Sequence, residues 1–373
     1  MKLFHKTLLI AAVGCCIVLR GFSQESTTES LPKDYLTKVF HAGRREALRK
    51  LMPANSVAVI FAYPERVFSE DVNYAYHPSP DLYYFSGYKE TSAVLLIFKD
   101  MQHDTDGDYN EVFFAQKRDP LQESWTGRRL GVEGVKGKLG FNKVYNSEEF
   151  ASFPVDLKKF SMVLYDGIPE EAGNMKPLVD AFKLKASIPD IDKSLLDDLT
   201  LIMRYGTAKN INRILDFLKP KLELPAYKNN VLLQGVIAKP DSAGIADMKA
   251  KFGSQFGGLG SYSQDMDLLR GVKMPEELEL LKKNVEISAQ AHAEVMRAIK
   301  PGMSERELQG IFEYVHKKYG AEDEGYPPIV GAGANGCILH YEENNATEVK
   351  NQLVLMDVGS EYHGYSADVT RTV

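Results

Sequence analysis

The stretch Leu353-Val354-Leu355-Met356-Asp357-Val358, followed after a turn by Ser366-Ala367-Asp368-Val369-Thr370, decides the fold of the last part of this chain. Each segment is apolar and carries one aspartate, a pattern that is typical of two paired strands. If the chain bends near Tyr362 and His363, Asp357 lies directly opposite Asp368. The Cβ atoms of the two aspartates are then expected about 5 Å apart.

Two carboxylates at that distance repel each other, so one of them holds a proton unless a cation lies between them. A divalent metal ion is the simplest such cation, and oxygen ligands favour Mn²⁺, Mg²⁺ or Zn²⁺ over softer ions. The alternative pairs Asp368 with Arg371, or leaves one carboxylate in water at a sheet edge. The sequence therefore predicts a metal site at Asp357 and Asp368, with this alternative open.

His340 is a further candidate site residue, near the end of the apolar run Ile338–Tyr341, which we expect to form a strand. A lone histidine is often a hydrogen-bonded structural residue, but this one directly precedes a polar loop in the predicted sheet. Cys337 precedes the same run, and we predict it to be a small buried side chain rather than a nucleophile.

Two helices precede these strands. Apolar residues recur at three- and four-residue steps from Pro275 to Ile299, which predicts a long amphipathic helix. Ser304 and Glu307 form a capping-box pattern at the start of the next helix, and Gly320 is expected to end it. A strand at Ile329–Gly331 follows.

The first two thirds of the chain alternate helical and strand patterns, which predicts an α/β domain. Expected strands are Ser56–Ala62, Leu82–Tyr84, Ala93–Phe98 and Val112–Ala115; expected helices are Ala42–Leu51, Lys193–Tyr205 and Ala208–Leu218. Glycines then recur through Gly260, so we predict a loose segment there, with the domain boundary between Phe252 and Asp267. The predicted domains are 34–260 and 267–373.

Residues 1–23 have the pattern of a secretory signal peptide, with a basic start, an apolar run Leu8–Leu19 and small residues before a polar stretch. We therefore expect a secreted or periplasmic protein. Removal of the signal peptide takes away Cys15 and Cys16. Cys337 is then the remaining cysteine, so no intrachain disulfide is expected.

Composition limits the classes of function. The 373 residues are 44% hydrophobic, and their formal net charge is -6. A chain of this length is expected to form two domains. Its acidic balance offers no clustered positive charge for phosphates, so we expect no nucleic acid partner.

Several motifs of the sequence resemble those of Xaa-Pro aminopeptidase (aminopeptidase P), a family of pita-bread metallopeptidases. In the last part of the chain they are Gly336–Tyr341, Leu353–Gly359 and Glu361–Thr372, and Met274–Glu277 resembles the opening helix of that catalytic domain. Asp81–Tyr88 and Trp125–Gly131 are similar to motifs of the family's amino-terminal domain.

The resemblance implies an α/β (α+β) fold: an amino-terminal aminopeptidase P (creatinase-like) domain followed by an incomplete pita-bread catalytic domain. It implies that Asp357 binds one metal ion, that Asp368 bridges two, and that His340 is a catalytic residue that contacts the substrate. The expected cofactor is a pair of Mn²⁺ ions, with Zn²⁺ or another divalent ion possible. The implied substrates are peptides with proline second, and we expect a homo-oligomer in the complete form.

The sequence departs from the family in one respect. The resemblance implies a histidine and two glutamates downstream of the second aspartate, and here only Val369–Val373 follow. His292 and His316 lie on predicted helices and do not replace them. We therefore expect a truncated chain without turnover. The alternatives are a prolidase and a non-catalytic pseudo-enzyme, the latter an oligomerisation or peptide-binding module.

Overall fold

The structure, a computed structural model, describes residues 34–166, 172–188 and 191–373. The predicted signal peptide at residues 1–23 lies outside the described residues. The helices are α1 Lys38–Leu51, α2 Pro80–Ser86, α3 Pro120–Thr126, α4 Gly131–Gly134, α5 Lys176–Ala186, α6 Lys193–Tyr205, α7 Ile211–Leu218, α8 Pro225–Lys228, α9 Val231–Ala238, α10 Ser242–Gly271, α11 Pro275–Ala298 and α12 Glu305–Lys318. The strands are β1 Ser56–Phe61, β2 Val67–Ser69, β3 Val72–Asn73, β4 Val94–Asp104, β5 Gly107–Ala115, β6 Val144–Asn146, β7 Met162–Tyr165, β8 Asp323–Glu324, β9 Ile329–Ala332, β10 Val354–Asp357, β11 Ser360–Tyr362, β12 Tyr365–Ser366 and β13 Thr370–Thr372.

A five-stranded mixed sheet organises the first part of the chain, in the order β6-β5-β4-β1-β7. All six residues of β1 are buried, as expected for a strand covered on both faces. It pairs with β4 antiparallel and with β7 parallel. The architecture is mixed α/β, as the sequence predicted.

One strand prediction in this part was wrong, because Leu82–Tyr84 lies inside helix α2. Ser79 caps the helix by accepting from the Leu82 N–H at 3.3 Å, and Pro80 occupies its first turn. Gly87 ends it in the left-handed conformation, with φ of 75°. These start and stop signals outweigh the strand preference of the aromatic residues between them.

The glycine-rich segment before Asp267 was also predicted wrongly, because α10 runs through it as one 30-residue helix. Gly258 belongs to the close contact of this helix with β7, where a Cβ would lie 1.6 Å from the Val163 carbonyl oxygen. The first half of α10 packs Phe252 into a core made by helices α6, α7 and α9, and its second half packs Tyr262 against the large sheet. The division into domains 34–260 and 267–373 stays a prediction.

The last part of the chain packs α11 and α12 on β9 and β10 through a core that includes Ala291, Phe312 and Met356. The capping box of α12 is confirmed, since Ser304 Oγ accepts from Glu307 N–H at 3.1 Å and Glu307 accepts from Ser304 N–H. Residues Leu36–Val373 form one compact unit. Within the described ranges, no helix combines the length and apolar character needed to cross a membrane.

Candidate functional site

Tyr326 brings the two predicted aspartates together. Its hydroxyl donates a hydrogen bond to Asp357 Oδ1 at 2.6 Å and lies 3.4 Å from Asp368 Oδ1. Tyr326 follows β8, where the Gly325 N–H donates to the Gly359 carbonyl at 2.9 Å and continues the pairing of β8 with β11. Both carboxylates therefore reach one phenol oxygen.

The pairing between the two aspartate-bearing segments differs from the prediction. The turn lies at His363–Gly364, with φ of 51° and 83°, which is the backbone of a two-residue type I′ hairpin. As a result, Asp357 pairs with Thr370 instead of Asp368. Because the shift is two residues, Asp368 stays on the same face as Asp357 and becomes its diagonal neighbour.

The prediction that both aspartates lie on paired strands was right only for Asp357. Asp357 ends β10 and is half-buried, whereas Asp368 lies between β12 and β13 and is exposed. The open alternative with Arg371 is not observed: its guanidinium donates to the Thr370 carbonyl at 2.6 Å, and the described residues contain no Arg371–Asp368 ion pair. The exposure of Asp368 does agree with the other half of that alternative, a carboxylate left in water at the sheet edge.

The Tyr326 hydroxyl remains a hydrogen-bond donor at neutral and moderately alkaline pH. Burial raises the pKa of Tyr326 well above its ordinary value of 10.0, and the hydrogen bond to Asp357 and the charge of Asp368 act in the same direction. A protonated phenol can donate a hydrogen bond to a carboxylate, but it has no positive charge with which to neutralise one. The Tyr326 hydroxyl therefore holds Asp357 in position and lies close to Asp368.

The two helical histidines near this region have structural partners. The His292 ring Nε2 lies 3.1 Å from the Val358 carbonyl oxygen, and the His316 ring Nδ1 lies 2.5 Å from Glu324 Oε2. Burial lowers the pKa of His292. Both histidines are buried, and the contact of His316 with Glu324 supports the strand that leads to Tyr326.

His340 is not placed as predicted. The expected strand at Ile338–Tyr341 is absent: Gly333–Cys337 form a 3₁₀ helix, and His340 follows in an exposed turn. Within the described part of the chain, His340 makes no hydrogen bond or ion pair with either aspartate. Cys337 is exposed as well, which corrects its prediction as a buried side chain. An apolar run alone cannot reveal whether another element covers it, and here Leu339 is 85% exposed.

The donor chemistry of the aspartates fits a hard or borderline divalent ion, since both present carboxylate oxygens on one face. The number of donors is small. In the ranges that the structure describes, no group of three or more His, Cys, Asp or Glu side chains could hold a metal ion. Asp357 and Asp368 thus present two carboxylates near one another, and His340 does not join them.

Tyr326 is the site residue that sequence reasoning missed. It stands in Gly325-Tyr326-Pro327-Pro328, where two prolines favour an extended backbone, but this pattern does not indicate what the phenol contacts. Its partners are 31 and 42 positions away in sequence. Only the sheet that joins β8 to β11 brings them within reach.

Comparisons with known proteins identify the two parts of the chain. Residues 41–164 match the family model "Aminopeptidase P, N-terminal domain", and residues 279–373 match "Metallopeptidase family M24". An Xaa-Pro aminopeptidase of Escherichia coli (strain K12) is 32% identical over 330 residues, which are 88% of this chain and 60% of that protein.

Solved structures give the same result. Aminopeptidase P from E. coli with the inhibitor Pro-Leu has a TM-score of 0.63 and 28% identity, covering 91% of this chain and 62% of that one. A Zn-substituted form of that protein in complex with product matches with the same TM-score of 0.63. This chain thus spans about 60% of the length of the relatives it matches.

Taken together, the α/β domain and the two matched models define the class as an M24 metallopeptidase fold preceded by an aminopeptidase P amino-terminal domain. The chain belongs to the Xaa-Pro aminopeptidase (aminopeptidase P) family. Its fold is the amino-terminal domain with part of the pita-bread catalytic domain, as the resemblance implied.

Proposed function

We propose that this chain provides the amino-terminal domain and two metal-binding aspartates of an aminopeptidase that releases the first residue from peptides with proline second. The observation that carries the proposal is the convergence of Asp357 and Asp368 on the Tyr326 hydroxyl. It is supported by relatives whose names state this activity. We also propose that the protein is secreted or periplasmic and that its complete form is a homo-oligomer.

In this proposal Asp357 and Asp368 hold a pair of Mn²⁺ ions, with Zn²⁺ as the alternative suggested by the Zn-substituted relative. Such ions supply Lewis acidity and lower the pKa of water. Tyr326 orients Asp357 through the hydrogen bond that it donates and lies close to Asp368, as outer partners of metal ligands commonly do. His340, exposed in its turn, is proposed to contact the peptide substrate.

The chain with these residues alone is proposed to bind Mn²⁺ weakly and to lack turnover, because two carboxylates are fewer donors than a stable dinuclear site needs. The test is a Mn²⁺ titration of the purified 373-residue chain, followed by an assay for release of the first residue from an Xaa-Pro tripeptide. We expect Mn²⁺ binding that Asp368→Asn abolishes and that Asp267→Asn, at an exposed aspartate of α10, leaves unchanged.

Absence of Mn²⁺ binding in the original chain would refute the metal role of the aspartates. Robust hydrolysis that Asp368→Ala removes would instead refute the lack of turnover. Parallel assays with an Xaa-Pro dipeptide and tripeptide separate a prolidase from an aminopeptidase wherever turnover is found.

A non-catalytic role is the second candidate, favoured by the observation that the described residues present no three-residue metal-binding group. Reading the gene beyond the codon for Val373 separates the two. An open frame that supplies a histidine and two glutamates supports the enzyme, and a stop codon supports the pseudo-enzyme.

A further inference from the structure

Residues from the first part of the chain contact the β11–β12 hairpin and the segment beside it. The His77 ring Nε2 lies 2.7 Å from Glu361 Oε2. Lys89 Nζ lies 2.7 Å from both carboxylate oxygens of Glu322, the residue just before β8. Gly364 is packed so closely that a Cβ there would lie 2.5 Å from the Tyr83 ring. The hairpin is thus held at its turn and along its edge.

This hairpin is continuous with β10, which ends at Asp357, and with the segment that carries Asp368. The Ala367 N–H donates to the Ser360 carbonyl at 3.0 Å, and the Val358 N–H donates to the Val369 carbonyl at 3.1 Å. These bonds keep one register from the turn down to Asp357 and Thr370. A change in how firmly the tip is held therefore changes how firmly Asp357 and Asp368 are held relative to each other.

Glu361 needs a cation at this place. Its side chain is only 9% exposed, and Asp323 pairs with it directly across the ladder. Asp323 is exposed, but like charges directly opposite each other are unfavourable, and the nearly buried Glu361 carboxylate is costly unless a cation compensates it. The other cations nearby are committed, Lys89 to Glu322 and Lys317 to Asp323 at 3.7 Å.

His77 is the titratable group that meets this need. In the described part of the chain, it supplies the ring nitrogen within hydrogen-bond distance of the Glu361 carboxylate. Its other ring nitrogen, Nδ1, lies 3.1 Å from the Pro78 carbonyl oxygen, so a protonated ring satisfies both contacts as a donor. A neutral ring can donate to only one of them.

We propose that His77 and Glu361 form a proton-operated latch, which holds the hairpin Ser360–Ser366 tightly against the segment before α2 when His77 is protonated and loosely when it is neutral. The latch goes beyond the proposed function and requires neither metal ions nor turnover. Its consequence for the site is that the spacing of Asp357 and Asp368 is more tightly restrained at acidic than at alkaline pH.

The charges around His77 give the direction of the effect. Partial burial alone lowers the pKa of His77, but the hydrogen bond and charge of Glu361 outweigh it, and the Pro78 carbonyl and Asp323 add to the rise. A histidine with a raised pKa in the folded state stabilises the fold below its unfolded pKa. That stability is lost as the pH rises through the folded pKa. Glu322, His363 and Lys89 form the adjoining charge cluster, with His363 Nδ1 3.3 Å from Glu322 Oε1.

The test is hydrogen exchange of the Val358 and Ala367 amides, reported as protection factors between about pH 5.5 and 8.5 to remove the intrinsic pH dependence of exchange. In the original chain we expect protection to fall by about threefold or more with rising pH, since one unit of pKa shift is a tenfold change in equilibrium. His77→Arg should keep protection high throughout, and His77→Gln should keep it low throughout.

His103→Gln is the matched control, because His103 forms a similar 2.6 Å contact with Asp108 but lies exposed at the β4–β5 turn. It should leave the hairpin profile unchanged. An NMR titration adds a second readout: in Glu361→Gln the pKa of His77 should fall. The latch is refuted if His77→Gln retains the pH dependence of the original chain, or if the original chain has none. Both readouts are independent of peptide hydrolysis and so of the proposed function.

Discussion

A single hydroxyl group, that of Tyr326, links the two aspartates of the candidate site. Asp357 and Asp368 lie diagonally across a hairpin, where side chains are farther apart than directly opposed ones. The phenol oxygen spans that gap with contacts of 2.6 Å and 3.4 Å. Because burial and the neighbouring carboxylates raise its pKa, it donates over the working pH range of most proteins. Tyr326 is therefore a positioning residue for the pair.

Replacing Tyr326 by Phe should weaken Mn²⁺ binding by about tenfold or more, which is the usual effect of removing an outer hydrogen-bond partner of a metal ligand. Paramagnetic relaxation of water protons measures the affinity. Tyr314→Phe is the control, since the Tyr314 side chain is exposed on α12. Equal affinities in the original chain and Tyr326→Phe would contradict the positioning role.

The hairpin β11–β12 owes its register to its turn. His363 and Gly364 both adopt positive φ, which sets a two-residue loop and moves the pairing by two positions from the predicted one. Gly364 also packs closely against the Tyr83 ring, so the turn sets the strand register and makes a tertiary contact. The location of Asp368 depends on this element more than on its own strand preference.

Gly364→Ala should destabilise the fold, because a side chain at φ of 83° is strained and its Cβ meets the Tyr83 ring. The backbone strain alone costs about 1–2 kcal/mol, and the contact adds to it. Urea unfolding measures the change. Gly107→Ala is the comparison, since φ there is 118° but no atom lies within 4 Å of the added Cβ. If both variants lose equal stability, the contact with Tyr83 contributes nothing.

Ion pairs, together with an apolar core, connect the first helix to the large sheet. Arg45 and Arg49 of α1 both contact the Glu111 carboxylate of β5, at 2.8 Å and 2.5 Å. Burial tends to raise the pKa of Glu111, but the hydrogen bonds and charges of the two arginines outweigh it and lower the pKa. Glu111 thus ties the first helix to the large sheet in its ionised form.

Acid should weaken the whole molecule through this carboxylate. A glutamate with a lowered folded pKa contributes stability that is present above its unfolded pKa and lost as the pH falls through the folded pKa. Thermal unfolding between about pH 3 and 6 should therefore give a falling Tm toward low pH. Glu111→Gln should lower the Tm at pH 6 and flatten this dependence. Glu148→Gln, at an exposed pair with Lys117, should do neither, and a full pH dependence in Glu111→Gln would contradict the assignment.

Local signals sufficed where one segment carries its own instructions. Helix α6 was predicted with the same bounds as observed, and the capping box of α12 was predicted from Ser304 and Glu307. Periodic apolar positions and a cap act over a few residues, so the sequence alone can indicate them. The same is true of the two aspartates, whose placement on one face survives a two-residue change of register.

The tertiary structure decided what depends on contacts between distant segments. Leu82–Tyr84 form part of helix α2, and α10 continues through the glycine-rich segment. Cys337 and His340 are exposed. The tertiary structure also placed Tyr326 between the aspartates and His77 against Glu361, which are 284 positions apart. By itself the sequence determined which side chains carry charge and which segments are apolar. Which of them meet was decided by packing, because the free energy of burial belongs to the assembled surfaces and not to any one segment.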